Sequence, residues 1–330
     1  MKPRICLRSF LRPDIEKFIA HKRSFGRRFV VEEKSLALLD NYLATHGIGA
    51  LCEVTPTIVD NFLLSRPRPR PRSYNHLRCT IVGLFAYLVG QGRLAQSPVQ
   101  SPARRSRYQR TPYIFDVDHA SRLLAIAQTF VDKGGTVDRS KTYYVIFAIL
   151  YGLGLRVSEV CNLRIEDADF ERRLLNIRET KFYKSRLVPF GPKLHALLGE
   201  YLHQKATRRP GECAPGQPLF CLRGGRPINP GTISQTFHHL LPRLRLDIPP
   251  GTSPPRLHDL RHSCAHGALM RWYRLGLDPQ ARLLTLATFL GHVDVNSTAV
   301  YLTTTPDLLD QANRRFEAFA AKAMAEELPS

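Results

Sequence analysis

Near the end of the 330-residue chain, the stretch LGHVDVNSTAVYL (290–302) sets His292 and Tyr301 nine positions apart. A tyrosine between Val300 and Leu302 is ordinarily a packing residue whose hydroxyl finds water or a carbonyl, so any chemistry must be argued from its company. Three other segments supply that company. GLGLRVSEVCNL (152–163) carries Arg156, and RETKFYKSRLVP (178–189) carries Lys181 with Lys184 close behind. RLHDLRHSCA (256–265) carries His258 and Arg261, whose spacing predicts one helix face. Singly, each has an ordinary use as a cap, an ion pair or a solvated charge. Together, two arginines, a lysine, two histidines and a tyrosine are the parts needed to attack a phosphodiester without a metal ion. The carboxylates form no metal-ligating cluster in the sequence, and the seven cysteines form no C-x-x-C pair.

The elements that must position these groups fall into two regions. Residues 1–98 read as four helices: 12–24 with Ile15, Phe18 and Ile19 on one face, 31–47 with Leu36, Leu39 and Leu43, 55–65 behind a Thr-Pro start, and 73–92 ending in glycine. Between the last two lies RPRPRPR (66–72), where alternating proline predicts an extended, solvated backbone. A stretch rich in Ser, Pro and Arg (99–112) reads as a basic linker. The remainder, 113–305, is mixed: helices at 116–130, 141–155, 193–206 and from 230 to 244, with a β-hairpin predicted from 174–178 and 186–190. A last amphipathic helix, 305–328, has Leu308, Ala312, Phe316 and Phe319 on one stripe.

Charge is the strongest global signal. Lys and Arg number 48 against 28 Asp and Glu, a net of +20, and residues 1–110 alone hold 20 against 7. Such an excess favours a polyanionic partner, with Arg66, Arg68, Arg70, Arg72, Arg104, Arg105 and Lys184 as candidate DNA contacts. The 43% apolar fraction is that of a globular protein. The apolar run 143–155 is too short to span a bilayer and no secretory signal is evident, which points to a cytoplasmic protein. The cysteines read as small buried hydrophobes of a reducing compartment.

The ordered motifs resemble those of the tyrosine recombinases, the phage-integrase type, over most of 113–305. GLR-x-S-E-x-x-x-L resembles the family's first arginine box, with Glu159 as a structural partner. TK-x-x-K-x-R-x-VP resembles its hairpin lysine box, HDLRH its H-x-x-R box, and LGH with a tyrosine nine residues on its last box. The resemblance implies a mainly α fold with a small antiparallel sheet, in which a helical core-binding domain and a mixed catalytic domain clamp DNA. It implies site-specific recombination through a 3′-phosphotyrosine, with no cofactor, metal or ATP, by a homo-oligomer, a tetramer at synapsis, with companion recombinases or accessory proteins as further partners. Tyr301 would be the nucleophile and Arg156 and Arg261 the phosphate clamp. Lys181 (with Lys184 the alternative) would protonate the leaving 5′ oxygen, His258 would take the tyrosine's proton, and His292 would hydrogen-bond a phosphate oxygen. His262 is expected only to support these groups. The segment 267–289, with the sole tryptophan Trp272, is longer than the family's minimal pattern. The C-terminal helix is expected to dock on a neighbouring subunit. The alternatives are a type IB topoisomerase-like enzyme and a DNA-binding accessory protein that has lost its chemistry.

Overall fold

The computed structural model describes residues 6–105, 111–131, 138–178, 185–222, 225–303 and 308–317. The chain forms two compact units, Met1–Gln109 and Arg110–Ser330. It is mainly helical with one three-stranded antiparallel sheet.

In the first unit, α1 (Arg12–Ser24), α2 (Val30–Thr45), α3 (Pro56–Leu64) and α4 (Pro71–Gly90) pack through the apolar stripes expected of them; Ile15, Phe18, Leu36, Leu39, Phe62 and Leu84 are all buried. Asp40, 1% exposed, accepts hydrogen bonds from the Arg8 and Ser9 amides and the Ser9 hydroxyl, pinning the chain ahead of α1 onto α2. The arginine–proline run is not wholly extended. Pro71 opens α4, where a helix has no use for the missing N–H, so Arg72 lies in the first helical turn. The stretch expected to be a linker returns along α4 as far as it is described. Arg104 lies over the Tyr74 ring at 3.9 Å and donates to the Arg68 carbonyl, and its backbone exchanges two 2.8 Å hydrogen bonds with the Asn75 side chain.

The second unit is built around α6 (Arg139–Gly152), following α5 (Val117–Ala127). Seven of the fourteen residues of α6 are buried, Tyr143, Ile146 and Ile149 among them, because α5, α8 (Pro192–Arg208) and α10 (Asp259–Arg274) cover different sides of it. A short α7 (Val157–Asn162), not anticipated from the sequence, leads to the sheet. The predicted hairpin strands are β2 (Leu174–Ile177) and β3 (Arg186–Pro189), paired from Leu174↔Pro189 to Ile177↔Arg186. A two-residue strand, β1 (Ala168–Asp169), adds to the other edge of β2, too brief to leave a periodic signal. Leu175, Ile177 and Val188 point into the core. The hairpin tip, with Lys181 and Lys184, lies outside the described residues.

After α9 (Pro230–Leu244), the long segment 267–289 resolves into the end of α10, a turn, and α11 (Leu283–Leu290); α12 (Asn296–Ala299) then runs into a 3-10 turn, Val300–Thr303. Ala265, Leu269, Leu286, Leu290, Tyr301 and Leu308 form a separate apolar cluster, against which Trp272 packs half-buried. Residues 308–317 are helical: Leu308 is fully buried in that cluster, and Arg315 meets the Leu277 carbonyl and Asp278. Phe316, expected on the apolar stripe, is 68% exposed. The cysteines also differ from expectation. Cys161 and Cys221 are buried, but Cys6, Cys52 and Cys79 are exposed, sitting on outward helix faces or loops. Among the described residues, no helix is long and apolar enough to cross a membrane.

Candidate active site

The site begins with a buried carboxylate. Glu159, on the first turn of α7, keeps 4% of its side-chain surface, and it stays ionised because three groups converge on it. Arg186 of β3 grips both oxygens at 2.9 Å, a bidentate fork. Arg156, just ahead of α7, donates its Nη1 at 2.8 Å and its backbone amide at 2.9 Å. Burial alone would raise the Glu159 pKa; the hydrogen bonds and charge of Arg186, then Arg156, outweigh it and hold the carboxyl below its usual range.

Two glycines let the arginines reach across the unit. Gly291 caps α11 in the left-handed region (φ +70°), and the His292 amide closes the cap on the Ala287 carbonyl at 2.9 Å. The Gly291 carbonyl accepts from Arg156 Nη2 at 2.8 Å, while Arg186 Nε donates to the Phe289 carbonyl. A Cβ on Gly291 would sit 2.5 Å from Arg186 Nη1, so only glycine fits. Gly154, at φ +59°, turns the chain between α6 and α7 and offers its carbonyl to Arg261 Nη1 at 2.6 Å; a Cβ there would strike the Leu290 side chain at 2.8 Å.

Arg261 is 2% exposed; it donates to the Gly154 carbonyl and, at 2.7 Å, to the Leu290 carbonyl, and it also hydrogen-bonds Tyr301, so these partners are neutral. Burial and then the neighbouring Arg156 push its pKa down to about 10, still cationic at neutral pH. Arg156, Arg186 and Arg261 thus bring three positive charges to one carboxylate. That local excess favours an anion.

The histidines and the tyrosine lie beside this charge. Tyr301 is 4% exposed. Burial raises its pKa, the charge of Arg261 and then its hydrogen bond oppose that rise, the Cys264 thiol adds to it and Arg156 again opposes it. Its hydroxyl shares a 2.9 Å hydrogen bond with His262 Nδ1. His258, expected to meet that hydroxyl, sits at the N-cap of α10 rather than inside it, more open to solvent, with its ring edge-on to His262 at 4.8 Å. The His292 ring lies parallel to Tyr301 at 6.2 Å, and its Nδ1 is 2.6 Å from the Thr298 hydroxyl. Tyr301, His258, Arg261, Arg156 and His292 therefore gather in one place. Sequence reasoning gave His262 a supporting role and Arg186 none. The only signals for them were their positions inside the HDLRH and K-x-R-x-VP boxes.

The phage integrase family model matches residues 114–307. A putative integrase/recombinase of Sinorhizobium fredii is 33% identical over 316 residues, covering 94% of this chain and 98% of that protein. The tyrosine recombinase XerA of Pyrococcus horikoshii is 27% identical, with 78% and 80% covered. Among solved structures, the Tn1549 transposon integrase in complex with a circular intermediate DNA shares the fold at a TM-score of 0.67 and 17% identity, over 94% of this chain and 100% of that one. A lambda integrase dimer bound to a COC′ core site shares it at 0.60 and 16%, over 88% and 76%. The chain belongs to the phage integrase family. It is a site-specific tyrosine recombinase that acts on DNA.

Two outcomes follow from the geometry. Glu159→Ala leaves Arg186 buried beside Arg156 with no counter-charge, and should lower the unfolding free energy by about 3–5 kcal/mol in urea titration. His258, with one face open to solvent and the other packed against His262, is held down to about 4 by desolvation of the packed side, then by the charges of His262, Arg261, Arg256 and Arg156; His292 is held to about 4 by burial, then by Arg261, Arg156 and Arg186. Both values lie below that of an unfolded histidine, about 6.5. Their contribution is therefore complete above pH 6.5 and lost as pH falls toward 4. Melting temperatures measured across that window should fall with acid, and less steeply in a His258→Gln, His292→Gln double variant.

Proposed function

We propose that Tyr301 attacks the scissile phosphate, leaving a 3′-phosphotyrosine and a free 5′-hydroxyl. Arg156 and Arg261 hold the non-bridging oxygens, where the pentacoordinate transition state gathers negative charge. His258 and His292, neutral at pH 7, hydrogen-bond the same phosphate. The 2.6 Å hydrogen bond between His292 Nδ1 and the Thr298 hydroxyl holds the ring in place. Lys181, or Lys184 in its place, protonates the departing 5′ oxygen. The observation that carries this reading is the pair of guanidiniums beside a tyrosine hydroxyl, one of them buried with only neutral partners, where charge is worth far more than in water. Loss of one such clamp member removes about 3 kcal/mol of transition-state stabilisation. The phosphodiester's energy is kept in the tyrosine linkage, so the 5′-hydroxyl of the partner strand can attack the phosphotyrosine and release Tyr301 without ATP.

The proposed division of labour is a core DNA-binding domain (1–98), a basic linker (99–112), the catalytic domain (113–305) and a C-terminal helix (306–330). Residues 66–72 with Arg104 and Arg105 would follow a DNA backbone. Arg66 and Arg68 support this: the Nε of each is buried with no hydrogen-bond partner among the described residues, as if awaiting phosphate oxygens. Strand exchange needs two sites and four active centres, so a homotetramer on DNA is the assembly proposed, alone or with companion recombinases or accessory proteins. Similarity to a transposon integrase and to a putative integrase/recombinase supports a role in a mobile element, acting at the nucleoid in the cytoplasm.

Incubation in EDTA with a library of nicked duplexes, followed by denaturing capture, should yield covalent adducts that Tyr301→Phe abolishes; adducts surviving that change would sink the assignment. Replacing Arg66, Arg68, Arg70 and Arg72 together by glutamine should lower the slope of log affinity against log salt by about 3–4, roughly 0.9 for each phosphate left unneutralised. An unchanged slope would remove the run from the DNA interface.

A further inference from the structure

We propose that His262, and not His258, is the base that takes the proton from Tyr301. The inference deepens the reading above and rests on Tyr301 being the nucleophile. The His262 Nδ1 to Tyr301 Oη distance, 2.9 Å, is that of a general base to the proton it removes. The rings are edge-on, with centroids 5.4 Å apart and planes at 61°. On its other side, His262 Nε2 lies 4.0 Å from Oδ1 of Asp259, one turn earlier on α10. Asp259 has no exposed surface and is held by Arg256, whose Nη2 donates to Oδ1 at 2.9 Å and whose amide donates to Oδ2 at 2.9 Å. A carboxylate on the Nε2 side favours the tautomer with its proton on Nε2, which leaves the Nδ1 lone pair facing the phenol. The same carboxylate steadies the imidazolium once the proton arrives. His258 has no such arrangement: it is more open, sits at the helix N-cap, and is flanked by Arg256, Arg261 and Arg156 without a carboxylate of its own.

The groups facing His262 are Asp259, Arg256, Arg261 and His258 from α10 and its start, and Tyr301 and His292 from the last box. Asp259 is the sole anion among them and lies on the far side of the ring from Tyr301. The step balances. The Oη proton passes to His262 Nδ1, the Oη–P bond forms, and the P–O5′ bond breaks with its electron pair on O5′, which takes a proton from the lysine assigned above. Resealing runs the same transfers backward, and His262 returns its proton to Tyr301.

The test has two arms on the full chain. In the first, which needs no DNA, histidine is labelled with 15N and the His262 tautomer is read by long-range nitrogen–proton correlation. A proton on Nε2 with Nδ1 bare is expected; a proton on Nδ1 would make His262 a donor that only orients Tyr301, and would overturn the proposal. In the second, adduct formation is timed on the duplex recovered by trapping with the wild type. His262→Asn should slow it about 10²–10⁴-fold at neutral pH, with the rate then rising tenfold per pH unit. Trifluorotyrosine at 301, a more acidic phenol, should restore most of that loss while leaving the loss in His258→Gln in place. A His262→Asn rate within threefold of wild type, or rescue of His258→Gln instead, would overturn the proposal. Should His262→Asn fail to melt cooperatively, His262→Gln takes its place and the tautomer still decides. Survival of adducts in Tyr301→Phe is a separate result that tells against the nucleophile, not against the histidine.

Discussion

The catalytic unit is organised about the ionised carboxylate of Glu159. A single buried charge is costly, and this one is tolerated because Arg186 and Arg156 reach it from different elements. The cost becomes an organising constraint: α7 cannot be placed without β3, and through the carbonyls of Phe289 and Gly291 neither can be placed without the end of α11. Three parts of the chain, separated by as much as 135 positions, are thereby tied to one point. An apolar cluster of the same volume would hold them together just as firmly. It would not fix the orientation of two guanidiniums.

Arginine is used in two ways here. Arg186 is consumed by structure, with every donor group aimed at a carboxylate or a carbonyl. Arg261 is buried but bonded only to neutral groups, two carbonyls and Tyr301, so its charge is oriented without being neutralised. Arg156 divides its fork between the two duties. The difference between a cation spent on the scaffold and one left to attract an anion is set by its partners and not by its depth. A lysine, with one compact charge and no fork, would serve neither position.

The histidines show why neutrality matters beside so much positive charge. An imidazole among arginines gives up its proton early, so His258 and His292 act at neutral pH as dipoles and hydrogen-bonding groups instead of as further cations. His262 differs in having a carboxylate behind it. The edge contacts between the rings of His258, His262 and Tyr301 keep the three groups at fixed angles with little mobile polar surface between them.

Much of this was legible in the chain. Apolar periodicity fixed most helices and both hairpin strands to within a few residues, because burial of one face is a local pattern written in residue order. The order of the four motif boxes identified Arg156, Arg261, His258, His292 and Tyr301 as a set, since their residue types are those the chemistry demands. What escaped was whatever depends on contact between boxes. Nothing near position 186 says that its arginine will grip Glu159, 27 residues away, and no rule of spacing says which of two histidines four apart at the start of α10 will meet a tyrosine 39 residues on from the second. Periodicity likewise could not show that α6 would be covered by three helices, or that Phe316 would stay open while Leu308 was buried. The sequence by itself determined the elements and the chemical parts. The tertiary structure decided which nitrogen faces which oxygen, because those pairings depend on ångström-scale distances between segments that meet only after the core has closed.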